Sequence, residues 1–241
     1  MKLRLLLVVT ACLTASAPLQ AQEEVAAVDG PWAGKAALGY LATSGNSESS
    51  SLNTKFELGY TSGKWEYLAD ASAINAQESE QTTAEAYKLG FKSEYSFSED
   101  NFLYGRMVWR KDLFSAYDQQ FSQTVGYGRR LLDTMSHQLS ADIGVGARQS
   151  ELRDGTTEND LIARGGINYR WIITETASFS QDLTVESGDV NTYIESVSAI
   201  TASLVGNLAL VASYTIKNNS EVPVGTESTD TYTALSIEYA F

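Results

Sequence analysis

Residues 234–241 read ALSIEYAF, and this stretch decides the fold because its polarity alternates from one position to the next. Leu235, Ile237, Tyr239 and Phe241 fall on one side of an extended chain, whereas Glu238 and small residues fall on the other. Successive side chains of a β-strand point to opposite faces. The pattern therefore predicts a strand with one apolar, aromatic face and one polar face.

The same period of two recurs in about twelve segments between residues 35 and 241, separated by breaks rich in turn-forming residues. In residues 51–61, for example, Phe56 alternates with Lys55 and Glu57. After the N-terminal apolar run, no stretch approaches the roughly 18 apolar residues of a membrane helix. The sequence predicts an all-β protein. It favours an antiparallel up-and-down transmembrane β-barrel of about 12 strands over a secreted sandwich with one wet face.

Charged side chains indicate which face of these strands points inward. A charge facing lipid near the middle of a bilayer would cost about 2–4 kcal/mol, so the polar faces are expected to line the lumen. Aromatic side chains near strand ends, including Phe102 and Trp171, predict rings at both headgroup levels. The predicted lumen-lining residues are Glu57, Asp70, Lys88, Lys92, Arg106, Arg110, Asp142, Arg148, Arg164, Arg170, Asp182 and Glu238.

The connections between segments predict how the strands are oriented. Tight turns are expected at 61–64, 98–101, 132–136, 174–176 and 205–207. Longer or more polar connections are expected at 44–50, 77–83, 115–119, 151–159, 188–192 and 218–228. Short and long connections alternate in this way when the strand count is even, both chain termini are periplasmic and the longer loops lie outside.

Residues 1–21 have the features of a cleaved secretion signal: two basic residues, an apolar run and an acceptable cleavage site ending at Ala21. Residues 22–34 are then a short periplasmic segment, and residues 35–241 are the outer-membrane barrel. Lipidation of Cys12, the only cysteine, is the alternative. Cleavage after Ala21 would leave a mature chain without cysteine, as suits an oxidising compartment.

Two stretches resemble known proteins. The final strand, with Leu235, Ile237, Tyr239 and Phe241, is similar to the C-terminal assembly signal of bacterial outer-membrane β-barrels. The segment GYLATSGNS at 39–47, followed by NTKFELGY and KWEY, resembles the opening hairpin of the YdiY-like family of salt-induced outer-membrane proteins, a domain of unknown function. This second resemblance implies a place in the bacterial outer membrane and a response to salt or osmolarity, and it carries over no catalytic residue.

The sequence offers little catalytic chemistry. His137 is the only histidine, which excludes a multi-histidine metal site and leaves one candidate base for a Ser-His dyad. The order of connections puts His137 next to a periplasmic turn, whereas lipid hydrolases of barrel type act at the outer leaflet. No catalytic residue, metal site or cofactor is therefore predicted. A net charge of −13 without a basic cluster argues against nucleic-acid binding.

Acidic residues concentrate in or beside the connections assigned to the outside. They could gather divalent cations that bridge lipopolysaccharide phosphates, or bias permeation toward cations. A solvated acidic surface is the alternative. The residues are Glu78, Glu80, Glu85, Asp118, Glu151, Asp154, Glu158, Asp160, Glu186, Asp189, Glu221, Glu227 and Asp230.

These observations predict a small cation-preferring pore in the outer membrane, linked by the family resemblance to osmotic or salt response. About twelve strands enclose more room than eight and less than sixteen. One alternative is a structural or envelope-stress barrel without a conducting pore, whose lumenal charges pair with one another. Another is an outer-membrane hydrolase. The expected partners are outer-membrane lipid, lipopolysaccharide, the barrel-assembly machinery and divalent cations at the outer loops.

Overall fold

The computed structural model describes residues 30–43, 49–79, 81–115, 117–222 and 227–241, so the predicted signal peptide lies outside the described residues. Within these ranges twelve antiparallel strands form one closed barrel, which confirms the predicted fold class. The described part of the chain contains no helix that could cross a membrane. The strands are β1 (Trp32–Thr43), β2 (Ser49–Ser62), β3 (Trp65–Glu78), β4 (Gln81–Ser96), β5 (Asn101–Asp112), β6 (Tyr117–Asp133), β7 (His137–Leu152), β8 (Thr157–Thr174), β9 (Ala177–Ser187), β10 (Thr192–Ser203), β11 (Leu208–Asn219) and β12 (Thr229–Ala240).

The barrel has two unlike ends. Strand β1 begins and β12 finishes at the end that also holds the β2–β3, β4–β5, β6–β7, β8–β9 and β10–β11 turns, and we call this the terminal end. The other connections lie at the opposite end, which we call the loop end. Strand β1 pairs Trp32 with Tyr60, so residues 32–34 belong to the barrel and not to the predicted N-terminal segment.

Several connections at the loop end are shorter than predicted. Strand β3 continues to Glu78 and β4 begins at Gln81, inside the connection predicted at 77–83. Strands β7 and β8 likewise extend into the connection predicted at 151–159. These predicted lengths are wrong because polar residues, which suggested loops, continue the backbone ladders beyond the apolar part of each strand.

The outer face of the barrel is apolar. Val125, Ile143 and Leu161 are 64%, 68% and 81% exposed, and each points away from the interior. Contiguous apolar surface of this extent is unfavourable in water and favourable in hydrocarbon. The alternation read from the sequence therefore puts apolar side chains outside and polar ones inside, as in membrane barrels.

Aromatic rings form a belt around the outer face at the terminal end. Trp32 and Tyr60 have ring centroids 4.5 Å apart, and Trp65 and Tyr95 are 4.9 Å apart. Such belts mark the level of lipid headgroups. The prediction was wrong for Phe102, which is 3% exposed and lies inside the barrel. Its position in β5 has the same parity as Arg106, so it shares the inward face.

The contact that closes the barrel, between β1 and β12, is the shortest ladder among the described residues. It pairs Lys35 with Ala240 through to Leu38 with Ile237, four positions, whereas every other ladder pairs eleven or more. Backbone bonds between Gly34 and Phe241, at 2.7 and 2.9 Å, extend it at the terminal end. We call this contact the seam.

The seam ends at Gly39, where the two strands come close. A Cβ atom at Gly39 would collide with the carbonyl oxygen of Leu235 and with the side chain of Asn53. Because Gly39 has no side chain, Ser236 Oγ can reach across β1 and donate to Asn53 Oδ1 at 2.7 Å. This hydrogen bond links β12 to β2 and fastens the seam where its ladder stops.

Candidate functional site

Charged side chains cross the interior of the loop-end half and join strands that are not neighbours. Arg110 on β5 donates from Nη1 and Nη2 to the two carboxylate oxygens of Glu186 on β9, each at 3.3 Å. Lys88 Nζ on β4 donates to Glu195 on β10 at 2.7 Å. These contacts span the lumen, because three strands lie between β5 and β9 in the sheet order and five lie between β4 and β10.

A second set of contacts closes the same half closer to the loops. Arg148 Nη2 donates to Asp160 at 3.1 Å and to the backbone oxygen of Asn191 at 2.6 Å. Asn191 in turn donates to the side chain of Asn219 at 2.8 Å, which ties the β9–β10 connection to β11. We call the charged side chains of this region the plug. The plug consists of Lys88, Arg110, Arg148, Asp160, Glu186 and Glu195.

The centre of the plug is closely packed. Arg148 and Glu186 are each 1% exposed, as is the neighbouring Val108. Arg110 also lies over the ring of Tyr193, with 4.6 Å between the guanidinium carbon and the ring centroid. Some donors remain unused: in the described residues, Nε of Arg110 and both Nε and Nη1 of Arg148 are buried without a hydrogen-bond partner.

The terminal-end half of the interior is open instead of packed. It contains a cavity of about 400 Å³ that spans the wall from β3 to β9, and we call this cavity the vestibule. Phe102 lines it, and the far end of its ring lies against Gly128, where a Cβ atom would collide with it. The charged lining residues are Glu66, Lys92, Glu94, Arg130, Asp133, Arg170 and Asp182.

The twelve residues predicted to line the lumen divide into two groups by their contacts. Ten take part in ion pairs. These are Glu57 with Lys55, Asp70 with Arg106, Lys88 with Glu195, Lys92 with Glu94, Arg110 with Glu186, Asp142 with Arg164, Arg148 with Asp160, and Glu238 with Lys35. Arg170 and Asp182 have no ion pair among the described residues, and both line the vestibule. A conducting role for any of them stays a prediction.

Two acidic residues assigned to the outer loops lie inside the barrel, so that assignment is wrong for them. Asp160 is 8% and Glu186 1% exposed, and both belong to the plug. The cause is the greater length of the strands, since β8 begins at Thr157 and β9 ends at Ser187. The sequence contained evidence for the interior position of Glu186, because this residue continues the alternation of Asp182 and Thr184. Sequence reasoning also missed Glu195, Lys217 and Asp112 as interior charges.

The residues of the predicted assembly signal lie on the outer face of β12. Leu235, Ile237, Tyr239 and Phe241 are 40–53% exposed, and Tyr239 and Phe241 stack with centroids 6.3 Å apart. The Phe241 ring also covers Gly34 of β1. The last residue therefore helps to hold the seam, while its role in assembly stays a prediction.

His137 belongs to the aromatic belt of the terminal end. Its Nδ1 lies 2.9 Å from the hydroxyl of Tyr169, and its ring stacks on Tyr169 and Trp171 with centroids 6.1 and 5.9 Å away. The belt gives this histidine a packing role at the barrel surface, as the strand-end position indicated.

The loop end carries the exposed acidic side chains. In the β7–β8 connection the backbone N–H of Thr156 donates to Asp154 Oδ1 at 2.8 Å, and this bond lowers the pKa of the Asp154 carboxyl. Among the described residues no group of three or more histidine, cysteine or carboxylate side chains could hold a metal ion. Glu80 lies outside the described residues, as does the Ser-Gly-Asn turn of the family resemblance. Cation binding at the loops stays a prediction.

A closed antiparallel barrel with an apolar exterior, an aromatic belt and a charged interior defines the class of outer-membrane β-barrels. The chain belongs to the family described as "Protein of unknown function, DUF481", which matches residues 36–241. It is 30% identical over 222 residues to "Uncharacterized protein YdiY" of Escherichia coli (strain K12), which covers 90% of this chain and 86% of that protein. The resemblance to a YdiY-like family is thereby confirmed.

Two solved structures align with most of the chain. The COG4313 outer membrane channel from Pseudomonas putida F1 aligns with a TM-score of 0.51 at 10% sequence identity, over 88% of this chain and 96% of that one. The NanC porin aligns with a TM-score of 0.48 at 10% identity, over 87% and 97%. The first likeness shows the fold alone. Neither the family description nor the name of the Escherichia coli relative mentions an enzymatic activity.

Proposed function

We propose that the protein is a bacterial outer-membrane barrel whose lumen is closed at rest, with the terminal end facing the periplasm. The observation that carries the proposal is the Arg110–Glu186 pair, in which both Nη atoms of the arginine donate to the carboxylate. The pair joins β5 to β9 across the lumen, and Glu186 is 1% exposed. The orientation is supported by the position of both chain ends and five turns, since outer-membrane barrels keep short turns on the periplasmic side.

The plug supports a structural barrel without a conducting pore, one of the alternatives left open by the sequence. An ion crossing the lumen needs a continuous path of water or of groups free to replace its hydration shell. In the loop-end half, Arg110, Arg148 and Lys88 already contact carboxylates of the barrel itself. These three side chains are therefore not free to contact an ion that crosses the lumen.

A small cation-preferring pore is the second candidate, and one observation favours it. Most of the contacts that close the loop-end half are made between side chains, and side chains can move apart while the strands stay paired. The acidic surface of the loop end would then concentrate cations at the mouth. In this second candidate the plug acts as a gate.

Recording from single barrels in planar bilayers separates the two candidates. We expect no stable conductance from the wild type and a stable conductance from the double variant Arg110→Ala, Glu186→Ala, because it removes the cross-lumen pair and leaves space for water. The matched control is Arg129→Ala, which removes an exposed arginine of the outer face. Stable, cation-preferring conductance of the wild type would overturn the closed barrel and support the pore.

Location is tested separately from conductance. A barrel of this class should fractionate with the outer membrane and migrate differently in detergent gels before and after boiling. Deletion of Phe241 should reduce the amount of folded protein in the membrane far more than deletion of Glu227, because Phe241 packs on the seam and Glu227 is exposed at the loop end. Equal amounts, or recovery in the soluble periplasmic fraction, would contradict the proposal.

The proposed partners follow from this location. Lipid surrounds the apolar exterior, lipopolysaccharide phosphates and their divalent cations meet the acidic loop end, and the assembly machinery receives the β12 strand. The link to salt and osmotic response comes from the family resemblance. Protein abundance measured at low and high NaCl tests it, and we expect a rise with salt.

A further inference from the structure

The vestibule combines a ligand-sized volume with an uneven use of its charges. Its volume of about 400 Å³ falls within the range of small-molecule sites. On the wall formed by β4, β5 and β6, the cations are already satisfied. Lys92 contacts Glu94, and Arg130 lies 3.8 Å from the same carboxylate. Both cations also lie over the ring of Phe102, at 5.3 and 5.1 Å from its centroid.

The wall formed by β8 and β9 carries two charged side chains that form no ion pair with the described residues. Arg170 has no ion pair within 4.0 Å among the described residues, and the same is true of Asp182, which accepts only a hydrogen bond from Asn168 at 3.2 Å. Both side chains are exposed to the cavity and not buried in the wall. An exposed arginine and an exposed carboxylate in one concave space are available to a ligand that carries the opposite charges.

The ladder fixes the spacing of these two groups. Arg170 faces Ser180 across the β8–β9 ladder, and Asp182 is two residues further along β9. Diagonal neighbours of this kind lie about 7–8 Å apart, and their Cβ atoms are somewhat closer. Two residues of extended peptide span roughly 7 Å. A ligand whose charges are separated by one dipeptide length matches this spacing.

Uncharged hydrogen-bonding groups lie around the two charges. Gln138, Ser140, Asn168 and Ser180 line the same cavity and come from β7, β8 and β9. Side-chain amides and hydroxyls can donate to and accept from a peptide bond. We propose that the vestibule is a binding site for short zwitterionic peptides, with the ligand carboxylate on Arg170 and its ammonium group on Asp182.

This inference rests on the proposed function only for the side of the membrane from which the ligand enters. A terminal end that faces the periplasm exposes the vestibule to periplasmic peptides. The binding itself depends on Arg170 and Asp182, and not on whether the plug conducts. Binding and conductance can therefore fail independently.

The test is calorimetric titration of the folded barrel in detergent with glycylglycine. N-acetylglycylglycine, which lacks the ammonium group, and glycylglycinamide, which lacks the carboxylate, are the control probes. We expect each to bind at least about tenfold more weakly, because each loses one charge-assisted hydrogen-bonded contact. Undetectable binding of glycylglycine, or equal binding of the three probes, would overturn the proposal.

Matched variants locate the site. Arg170→Gln and Asp182→Asn should each weaken glycylglycine binding about tenfold, whereas Arg129→Gln on the outer face and Asp189→Asn at the loop end should not change it. The gel shift on boiling checks that every variant is folded. Unchanged binding in both vestibule variants would place the ligand elsewhere and overturn the assignment. If the wild type binds glycylglycine and also conducts, while both vestibule variants lose binding, this inference stands and the closed barrel is overturned.

Discussion

The two halves of the lumen are built by the same alternation of side chains but are filled differently. In the loop-end half, Arg110 and Glu186 meet across the barrel, and Glu186 is 1% exposed. In the terminal-end half, the end of the Phe102 ring lies against Gly128, and a cavity of about 400 Å³ remains. The number of strands therefore sets the width of a barrel, while the length and contacts of a few side chains decide whether its lumen is open.

The largest difference between the halves should appear when a carboxylate is neutralised. Glu186→Gln leaves Arg110 buried without its counter-charge, and breaking a buried ion pair costs about 3–5 kcal/mol. Asp182→Asn is the matched change in the vestibule, where no ion pair is lost, and we expect a change within about 0.5 kcal/mol. The free energy of unfolding in urea, measured in detergent micelles, compares the two. Equal losses would mean that the halves do not differ in this way.

The next effect concerns the aromatic wall that keeps the vestibule open. Gly128→Ala puts a methyl group where the Phe102 ring lies, and overpacking of this kind costs about 1–3 kcal/mol. Gly105→Ala is the control, since its Cβ atom would meet nothing within 4 Å. Unfolding free energies that are the same for both variants would contradict the close packing of Phe102 against Gly128.

A smaller effect is expected at a cation of the vestibule. Arg130 lies 3.8 and 4.0 Å from Glu94 and Glu66, which are loose, partly exposed pairs. Arg130→Gln should therefore cost about 1 kcal/mol or less, and added salt should reduce that cost. Arg110→Gln, in the plug, should cost several times more and depend less on salt. A salt-dependent loss at Arg110 would indicate that water reaches the plug.

The smallest effect is expected when both partners of the cross-lumen pair are replaced together. Arg110→Met with Glu186→Met removes two buried charges and one unused donor, Arg110 Nε. Replacing a buried ion pair with apolar residues of similar volume is often neutral or stabilising. We therefore expect the unfolding free energy within about 1 kcal/mol of the wild type. A loss as large as that of Glu186→Gln alone would show that packing at this level depends on the charged pair.

The sequence was sufficient for features that depend on local pattern. The period of two around Leu235 and Ile237 predicted the face of β12, and its repetition predicted twelve strands. The same alternation also indicates that Phe102 faces inward, because an even number of positions separates it from Arg106 and from Arg110. The prediction missed it because an aromatic residue near a strand end was assigned to the belt without checking its parity.

The sequence could not predict which charges meet. Arg110 and Glu186 are 76 residues apart, and alternation gives the inward face of each but not its height in the lumen. That height depends on the stagger between strands around the whole barrel. For the same reason Arg170 and Asp182, which form no ion pair within the described ranges, could not be separated from the ten paired residues before the register was known.

The seam between β1 and β12 has a consequence for how the barrel forms and opens. Eleven ladders join strands that follow one another in the chain. Each of these ladders can therefore form within its own hairpin, at a small cost in loop-closure entropy. The seam instead brings together the two ends of the barrel and secures them with four ladder positions, the Gly34–Phe241 bonds and the Ser236–Asn53 hydrogen bond. Closure is then the last step of folding, and its reversal is the least costly partial unfolding of the sheet. The amides of residues 35–38 should exchange with solvent hydrogen before those of the long β6–β7 ladder.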